Sequence, residues 1–569
     1  MLYNGIAGSA GIGIGRAVVL AEPDLNYSGA AFTGRENERG RMHKAVKRFK
    51  EQTRAMQERL KDSVGETEAA ILSGQIMMIE DPFLAAQIGE YIDDGRPAEE
   101  AFDLVCQLYI DMFSAAEDEL TRQRAADIQD MRSRILKILL DRSDLDLTAL
   151  APGSVLVARE LTPSMTVGIG RERVAAIVTE LGGRTSHSAI LSRALEIPAV
   201  LGVSGVTEAV SDGDVVLVDG DEGVVILSPD EKTVARYESR RRAQETRQTS
   251  LRAFVGRHTV TADGERVSLY ANIGRVADAA EVIQHDGEGV GLFRTEFLFM
   301  ERTALPSEEE QYEAYRKVAA AMDGREVIIR TLDAGGDKDI PYLCIEKEDN
   351  PFLGHRAIRF CLDRKDIFKT QLRALLRAGA QGNIKIMLPL ITSVEEVRRA
   401  REIISDCEAE LSAEGKPFRK NIPLGVMIET PAAVLTADLL AGEADFFSIG
   451  TNDLIGYTMA ADRGNSRVAA LYSVYHPAVL RAVRETIRCA KAAGIPVGLC
   501  GEAAADPLLT PLLIAFGLNE YSVSPAAVLS TRRNISLWTR QEAENLEKAV
   551  MALGTAGEAE ACLKAHMKC

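Results

Sequence analysis

His187 closes the run Gly182-Gly183-Arg184-Thr185-Ser186-His187, a setting unlike that of an ordinary structural histidine. The two glycines let the backbone turn tightly, and SHSAILSRAL then reads as a helix beginning near Thr185 or Ser186. His187 is thereby expected in the first helical turn, where free N–H groups and the positive end of the helix dipole favour an anion. A neutral imidazole with a pKa near about 6.5 is a usable nucleophile at pH 7. A phosphoryl group attached there would be held by the helix terminus. A second set of reactive side chains stands at the ends of apolar runs farther along. Arg294 closes GVGLFR, Arg330 and Asp333 close EVIIRTLD, Glu429 closes the run LGVMIET, Asn452 and Asp453 follow DFFSIG, and Cys500 closes IPVGLC. Two arginines can fork onto phosphate oxygens. Two of these carboxylates suit a Mg2+ ion that keeps much of its shell for substrate oxygens, and a cysteine beside them could serve as an acid. Singly, a strand-end Arg or Glu is more often a structural ion-pair member, and a strand-end Cys a small buried hydrophobe. Joint placement on different runs is what points to a site.

Other patterns carry less. The glycines at 5, 8, 11, 13 and 15 do not satisfy G-x-G-x-x-G, and no GxxxxGK[ST] occurs, so neither dinucleotide nor P-loop nucleotide binding is supported. His476 and the remaining histidines have no neighbours that suggest ligation. The 8 cysteines are scattered without a CxxC pair, as reduced thiols, and only Cys500 has a chemical setting.

Positioning these groups falls to the elements around them. At 569 residues the chain exceeds one ordinary core, so two or three domains are expected. The opening MLYNGIAGSAGIGIGRAVVL is apolar, glycine-punctuated and free of basic residues before its apolar part. It reads as the first strand and turns of a mature cytoplasmic domain, not as a secretory signal. Residues 34–140 change to long helix-period segments such as ENERGRMHKAVKRFKEQTRAMQERL and AEEAFDLVCQLYIDMFSAAEDEL. From Pro152 the texture is β-rich again (GSVLVAREL, VAAIVTEL, IPAVLGV, DVVLVDG), so the helical block is an insertion into one α/β domain made of residues 1–33 and 141–229. Residues 230–252 are almost wholly polar, as an exposed linking helix requires. From 253 to 569 the apolar runs VSLYANI, GVGLFR, EVIIRTLD, IKIMLPL, LGVMIET, DFFSIG, IPVGLC and NEYSVS alternate with helix-length segments. That predicts a (β/α)8 TIM barrel, whose active site lies at the carboxyl ends of the strands. The composition, 46% hydrophobic and 27% charged, is that of a soluble globular protein, with no apolar run of the roughly 18 residues a membrane span needs. A net charge of -17 argues against nucleic acid as a partner and for a basic protein.

The segments GGRTSHSAILSRALEIPAVLGV, GEGVGLFRTEFLFM, RTLDAGGDK, NPFLGHRAIR, GVMIETPAAV, FFSIGTNDLIGYTMAADRGN and GLCGEAAAD, in this order across nearly the whole chain, closely resemble Enzyme I of the sugar phosphotransferase system. The resemblance implies a multidomain α/β protein: a phosphohistidine domain carrying an inserted subdomain that binds a small histidine phosphocarrier (HPr), then a barrel that binds phosphoenolpyruvate and holds a homodimer. It implies that His187 is phosphorylated at Nε2 and that Arg294, Arg330 and Arg463 clamp the substrate phosphate. Glu429 and Asp453 match the Mg2+ ligands, Asn452 a substrate contact, Cys500 the acid that protonates the departing enolate, and Arg356 a supporting residue. Asp127 and Thr166 fall where the family places groups that orient the histidine. Departures are Ile455 and Gly456 for a Thr-Gln pair, His355 for another aromatic, and Ser188 for Thr. They bear on rate and partner preference, since no matched catalytic group is lost. The segment AILSGQIMMIEDPFL resembles the carrier-binding region, where Met77, Met78 and Phe83 form either a docking stripe or helical core. A pyruvate phosphate dikinase or phosphoenolpyruvate synthase would need a large ATP-binding domain, for which the stretch before His187 is too short. A non-catalytic phosphosensor would have no reason to retain every matched barrel residue.

Overall fold

The computed structural model describes residues 1–20, 25–64, 66–115, 119–142, 150–162, 165, 169, 172–183, 186–300, 302, 304–335, 338, 340–462, 465 and 467–568. The chain divides into two compact units, Met1–Thr246 and Arg247–Cys569.

In the first unit, eight strands form one sheet: β1 (Leu2–Asn4), β2 (Ile6–Ser9), β3 (Ile12–Leu20), β4 (Ser154–Ala158), β5 (Val174–Thr179), β6 (Ala199–Leu201), β7 (Val215–Asp219) and β8 (Val224–Leu227), in the order β1-β8-β7-β3-β4-β5-β6-β2. The centre, β3 to β6, is parallel, and β4 (SVLVA) is buried along its whole length, the pattern of a strand covered on both faces. The opening stretch, expected as one strand with turns, is three strands, broken at Gly5 and at Gly11, whose φ of +112° suits glycine. Its other glycines serve close packing: a Cβ on Gly15 would stand 1.8 Å from the Gly153 carbonyl oxygen of the neighbouring strand.

Between β3 and β4 the described residues form five helices, Arg35–Val64, Glu66–Ile79, Pro82–Asp93, Ala98–Ser114 and Glu119–Leu139. They bury a core of their own around Phe49, Ile92, Phe102, Met131 and Ile135. Met78 packs on that core, whereas Met77 and Phe83 are 68% and 78% exposed, so the core reading holds for Met78 alone. The polar segment after β8 is helical, Glu231–Arg252; Tyr237 packs with Ile12 and Leu217, and Arg240 pairs with Asp219 at 2.8 Å.

The second unit is a closed barrel of eight parallel strands: β9 (Ser268–Ile273), β10 (Val290–Arg294), β11 (Val327–Arg330), β12 (Ile384–Leu388), β13 (Leu424–Ile428), β14 (Phe446–Gly450), β15 (Val497–Cys500) and β16 (Glu520–Val523). These are the eight runs read from the sequence. Alternation within each strand sorts side chains between two cores. Leu292, Ile328, Met387, Met427, Phe446 and Cys500 form one cluster drawn from six strands, while Phe293 belongs to the larger core and meets Tyr315 edge-on, ring centroids 6.1 Å apart. Capping boxes start the helices Glu308–Ala321, Val394–Ala413, Arg540–Val550 and Ala556–Ala565, so local sequence alone sets where these begin. No described helix is long and apolar enough to cross a membrane.

Candidate active site

The strand ends of the barrel converge on a cavity of about 300 Å³. Arg294 and Arg330 are the last residues of β10 and β11, Cys500 is the last of β15, and Glu429 follows β13 by one residue. Asn452 and Asp453 lie in the first turn of the helix Thr451–Met459 that leaves β14. All six line this cavity together with Arg356, and a second cavity of about 620 Å³ shares Arg294 and Asn452 with it.

The two arginines differ. Arg330 is buried and its Nη2 reaches Glu296 Oε1 at 2.6 Å and Asp333 Oδ2 at 3.1 Å. Lys338 Nζ joins the same two carboxylates at 2.9 and 2.7 Å, and Arg356 Nη2 donates to Asp333 Oδ1 at 2.8 Å. Burial alone would raise the Asp333 carboxyl, but Arg330, Lys338 and Arg356 outweigh it and hold that group well below the usual carboxylate range. Glu296 is likewise lowered, against burial, by Arg330 and Lys338. Arg330 is therefore locked in place by a charge network. Arg294, only partly buried, makes no ion pair among the described residues and faces the cavity with its charge uncommitted. Glu296 and Lys338 were not singled out from the sequence, although each lies in a charged stretch (RTE, GGDK) just past a strand end.

Glu429 is pushed up to about 8, by burial first and then by the charges of Asp453 and Asp333. Its Oε1 accepts from the Leu390 N–H at 2.6 Å, and Leu390 adopts φ +54° to present that donor. Its Oε2 lies where a Cβ on Gly450 would approach within 2.7 Å, so a side chain at 450 would fill the space beside it. No group of three or more His, Cys, Asp or Glu suited to a metal exists among the described residues. Two repelling carboxylates with room kept beside one oxygen nevertheless fit a Mg2+ ion, which takes few protein ligands and leaves positions for water and substrate oxygens.

The Cys500 thiol is buried among apolar side chains and donates to the Ile449 carbonyl at 3.5 Å. Burial pushes it up to about 11, so it is a neutral S–H donor at pH 7. Arg356 also approaches the Tyr457 hydroxyl at 3.4 Å and lies over the Phe352 ring. Among the departures, His355 packs its ring on Phe360, and Ile455 is buried.

In the first unit the helix His187–Ala194 starts where the glycine pair predicted, with Ser186 as N-cap accepting from the Ala189 N–H. The backbone of His187 thus occupies the first helical position; its side chain, and Thr166 and Arg463, lie outside the described residues. Ser188 is buried and donates to the Leu161 carbonyl at 3.2 Å, a bond a threonine could equally make. Asp127, on the helix Glu119–Leu139, is raised to about 7, by burial first and then by Asp130, which brings it into the titration range of an imidazole.

Three family models match the chain in succession: the N-terminal domain of PEP-utilising enzymes at residues 4–124, their mobile domain at 150–223 and their PEP-binding domain at 248–539. A protein of Bacillus sp. (strain S) named phosphoenolpyruvate-protein phosphotransferase is 45% identical over 98% of this chain and 96% of its own length. A protein of the same name from Bacillus subtilis (strain 168) is 42% identical over 99% of both chains. A solution structure titled Enzyme I (nEIt) covers 43% of this chain and 99% of its own, at 35% identity and a TM-score of 0.37.

Proposed function

The chain belongs to the phosphoenolpyruvate-protein phosphotransferase family and is an enzyme, and from that premise we propose that it moves the phosphoryl group of phosphoenolpyruvate to His187 Nε2 and then to a histidine of a small HPr-like carrier, releasing pyruvate, as the first step of a sugar phosphotransferase system. The observation that carries this reading is the barrel cavity, where an uncommitted arginine, a locked arginine, a carboxylate pair and a neutral thiol meet. Phosphoryl transfer asks for positioning and charge neutralisation more than for covalent work.

Arg294 and Arg330, with Arg463, oppose the phosphate charge as His187 attacks in line. Asn452 contacts the substrate and Arg356 holds Asp333. The P–O bond to the enol oxygen breaks as the N–P bond forms, and the electron pair stays on the departing enolate. Cys500 then gives its S–H proton to the terminal enolate carbon, yielding pyruvate and a thiolate that solvent reprotonates. Glu429 and Asp453 would hold Mg2+, which when bound supplies positive charge to phosphate and enolate oxygens. Asp127 and Thr166 orient the imidazole for attack.

Exposed Met77, Phe83, Leu108 and Met112 on the helical subdomain support its reading as the carrier's docking surface, and the acidic chain suits a basic carrier face. Exposed Leu435, Leu439 and Leu471 on the barrel support a homodimer through that unit. We assign the enzyme to the cytoplasm, where a free thiol such as Cys500 stays reduced.

The test is incubation with phosphate-labelled phosphoenolpyruvate and Mg2+. The wild-type chain should gain acid-labile label on His187, and His187→Ala should gain none while still binding phosphoenolpyruvate. Label on another residue, or none on the wild type, would overturn the assignment.

A further inference from the structure

The barrel core contains a buried polar chain that the reaction does not use directly. Gln371 lies on the helix Lys365–Gly379 and is 1% exposed, surrounded by the apolar core. Its Oε1 accepts from the Leu332 N–H at 2.9 Å. Its Nε2 donates to Thr295 Oγ1 and to the Tyr315 hydroxyl, both at 3.2 Å. Thr295 Oγ1 in turn donates to the Arg330 carbonyl at 2.8 Å, and the Tyr315 hydroxyl donates to Gln311 Oε1 at 3.0 Å. Each N–H and O–H of the chain has one acceptor, so the directions of all five bonds are set.

The residues at the ends of this chain matter more than its length. Thr295 stands between Arg294 and Glu296. Leu332 lies beyond the last residue of β11, between Arg330 and Asp333. One amide therefore binds the exits of two adjacent strands at the points that carry four residues of the cavity. An apolar residue at 371 would leave the Leu332 N–H buried without this partner, and would free Thr295 to turn away from the Arg330 carbonyl. The strand-to-strand hydrogen bonds give no substitute, because the β10–β11 ladder ends at the Arg294–Arg330 pair.

We propose that Gln371 is a positioning residue for the phosphate site: through Leu332 and Thr295 it sets the spacing of Arg294 and Arg330. This rests on the reaction proposed above. A displacement near 1 Å of a group that positions substrate costs on the order of 10²-fold in rate. Gln371→Met keeps the volume and removes all three hydrogen bonds. Thr295→Val is nearly isosteric, removes the link to the Arg330 carbonyl and the acceptor for one Gln371 N–H, and leaves the Gln371–Leu332 bond in place, so it remains informative if the first variant does not fold.

Steady-state kinetics with phosphoenolpyruvate, run well below the melting temperature of each variant, should give a kcat/KM lowered on the order of 10²-fold for Gln371→Met. The loss in Thr295→Val should be smaller, and the double variant no worse than Gln371→Met, because both act on one chain. Phosphate exchange between His187 and a phosphorylated carrier, which bypasses the barrel, should stay at the wild-type rate in all three. A residue that only filled the core would lower the melting temperature and leave KM and kcat unchanged. Folded Gln371→Met and Thr295→Val with wild-type kcat/KM, beside a wild-type chain that phosphoenolpyruvate does label, would overturn the positioning role alone. A wild-type chain that takes no label would overturn the reaction and the role resting on it.

Discussion

Cys500→Ala separates a catalytic thiol from a packing thiol. A general acid contributes roughly 10² to 10⁴ in rate, equivalent to about 3 to 5.5 kcal/mol of barrel-site barrier. Removing one sulfur from the cluster of Leu292, Ile328, Met387, Met427 and Phe446 leaves a small void that costs about 1 kcal/mol of stability. That cost lowers the melting temperature by a few degrees and leaves nearly every molecule folded at 25 °C, so packing cannot mimic a hundredfold loss of turnover. The pH profile adds an independent check. With the thiol at about 11, roughly 97% is still protonated at pH 9.5, whereas a thiol at about 8.5 would be about nine-tenths ionised there. The raised value also means that the neutral thiol's contribution to stability is complete below about pH 8.5 and is lost as pH rises through about 11. Pyruvate release should therefore fall at least a hundredfold in Cys500→Ala while phosphoenolpyruvate binding survives. The alkaline limb assigned to the thiol should lie above pH 9.5 in the wild type. A variant within twofold of wild-type kcat, or a thiol-dependent break near pH 8.5, would refute the assignment.

The two phosphate arginines should respond oppositely to removal. Arg330→Ala leaves Glu296 and Asp333 short of a buried partner and should cost about 3–5 kcal/mol by thermal or urea unfolding, whereas Arg294→Ala should alter stability by less than about 1 kcal/mol yet weaken phosphoenolpyruvate binding tenfold to a hundredfold by calorimetry. Because Glu429 stands at about 8, above its usual value near about 4.3, its contribution to metal-free stability is complete below about pH 4.3 and is lost as pH rises toward 8. Mg2+ must displace that proton, so Mg2+ affinity should rise up to about tenfold per pH unit until pH 8 and then level off, a rise that Glu429→Gln abolishes; a flat wild-type profile would refute the pairing. A fragment ending at Arg252 retains the whole first compact unit and should exchange phosphate with a phosphorylated carrier while remaining inert to phosphoenolpyruvate; direct labelling by phosphoenolpyruvate would show that the barrel is dispensable.

Much of the architecture is legible before any coordinates. The eight barrel strands are short apolar runs bounded by polar residues, and because a parallel strand is buried on both faces, the run itself marks the strand. A strand's last residue is fixed by where its run stops. In a barrel all such ends face one way, so Arg294, Arg330, Glu429, Cys500 and the Asn452-Asp453 pair could be assembled without knowing a single distance. The start of the His187 helix is likewise local, set by the glycine pair and by Ser186 as N-cap. What the sequence determined by itself was thus whatever depends on neighbours within a few positions: strand, helix start, cap and the order of units.

Tertiary structure decided which charges are committed to one another. Arg294 and Arg330 occupy equivalent places at the ends of adjacent strands, yet only Arg330 meets Glu296 and Asp333, because inter-residue distance across a barrel depends on strand stagger and loop path. The opening strand resolved into three for a similar reason, since the breaks at Gly5 and Gly11 follow from partners that lie near residues 200 and 220 in the sheet. Gln371 was invisible in the sequence: on a helix it is one polar residue on an amphipathic pattern, and its three bonds exist only once that helix lies against the helix Glu308–Ala321 and the residues that follow β10 and β11. Hydrogen bonds and ion pairs act over about 3 Å, and only the folded chain brings Glu296 and Asp333 to Arg330, and Gln371 to Leu332, Thr295 and Tyr315, within that reach.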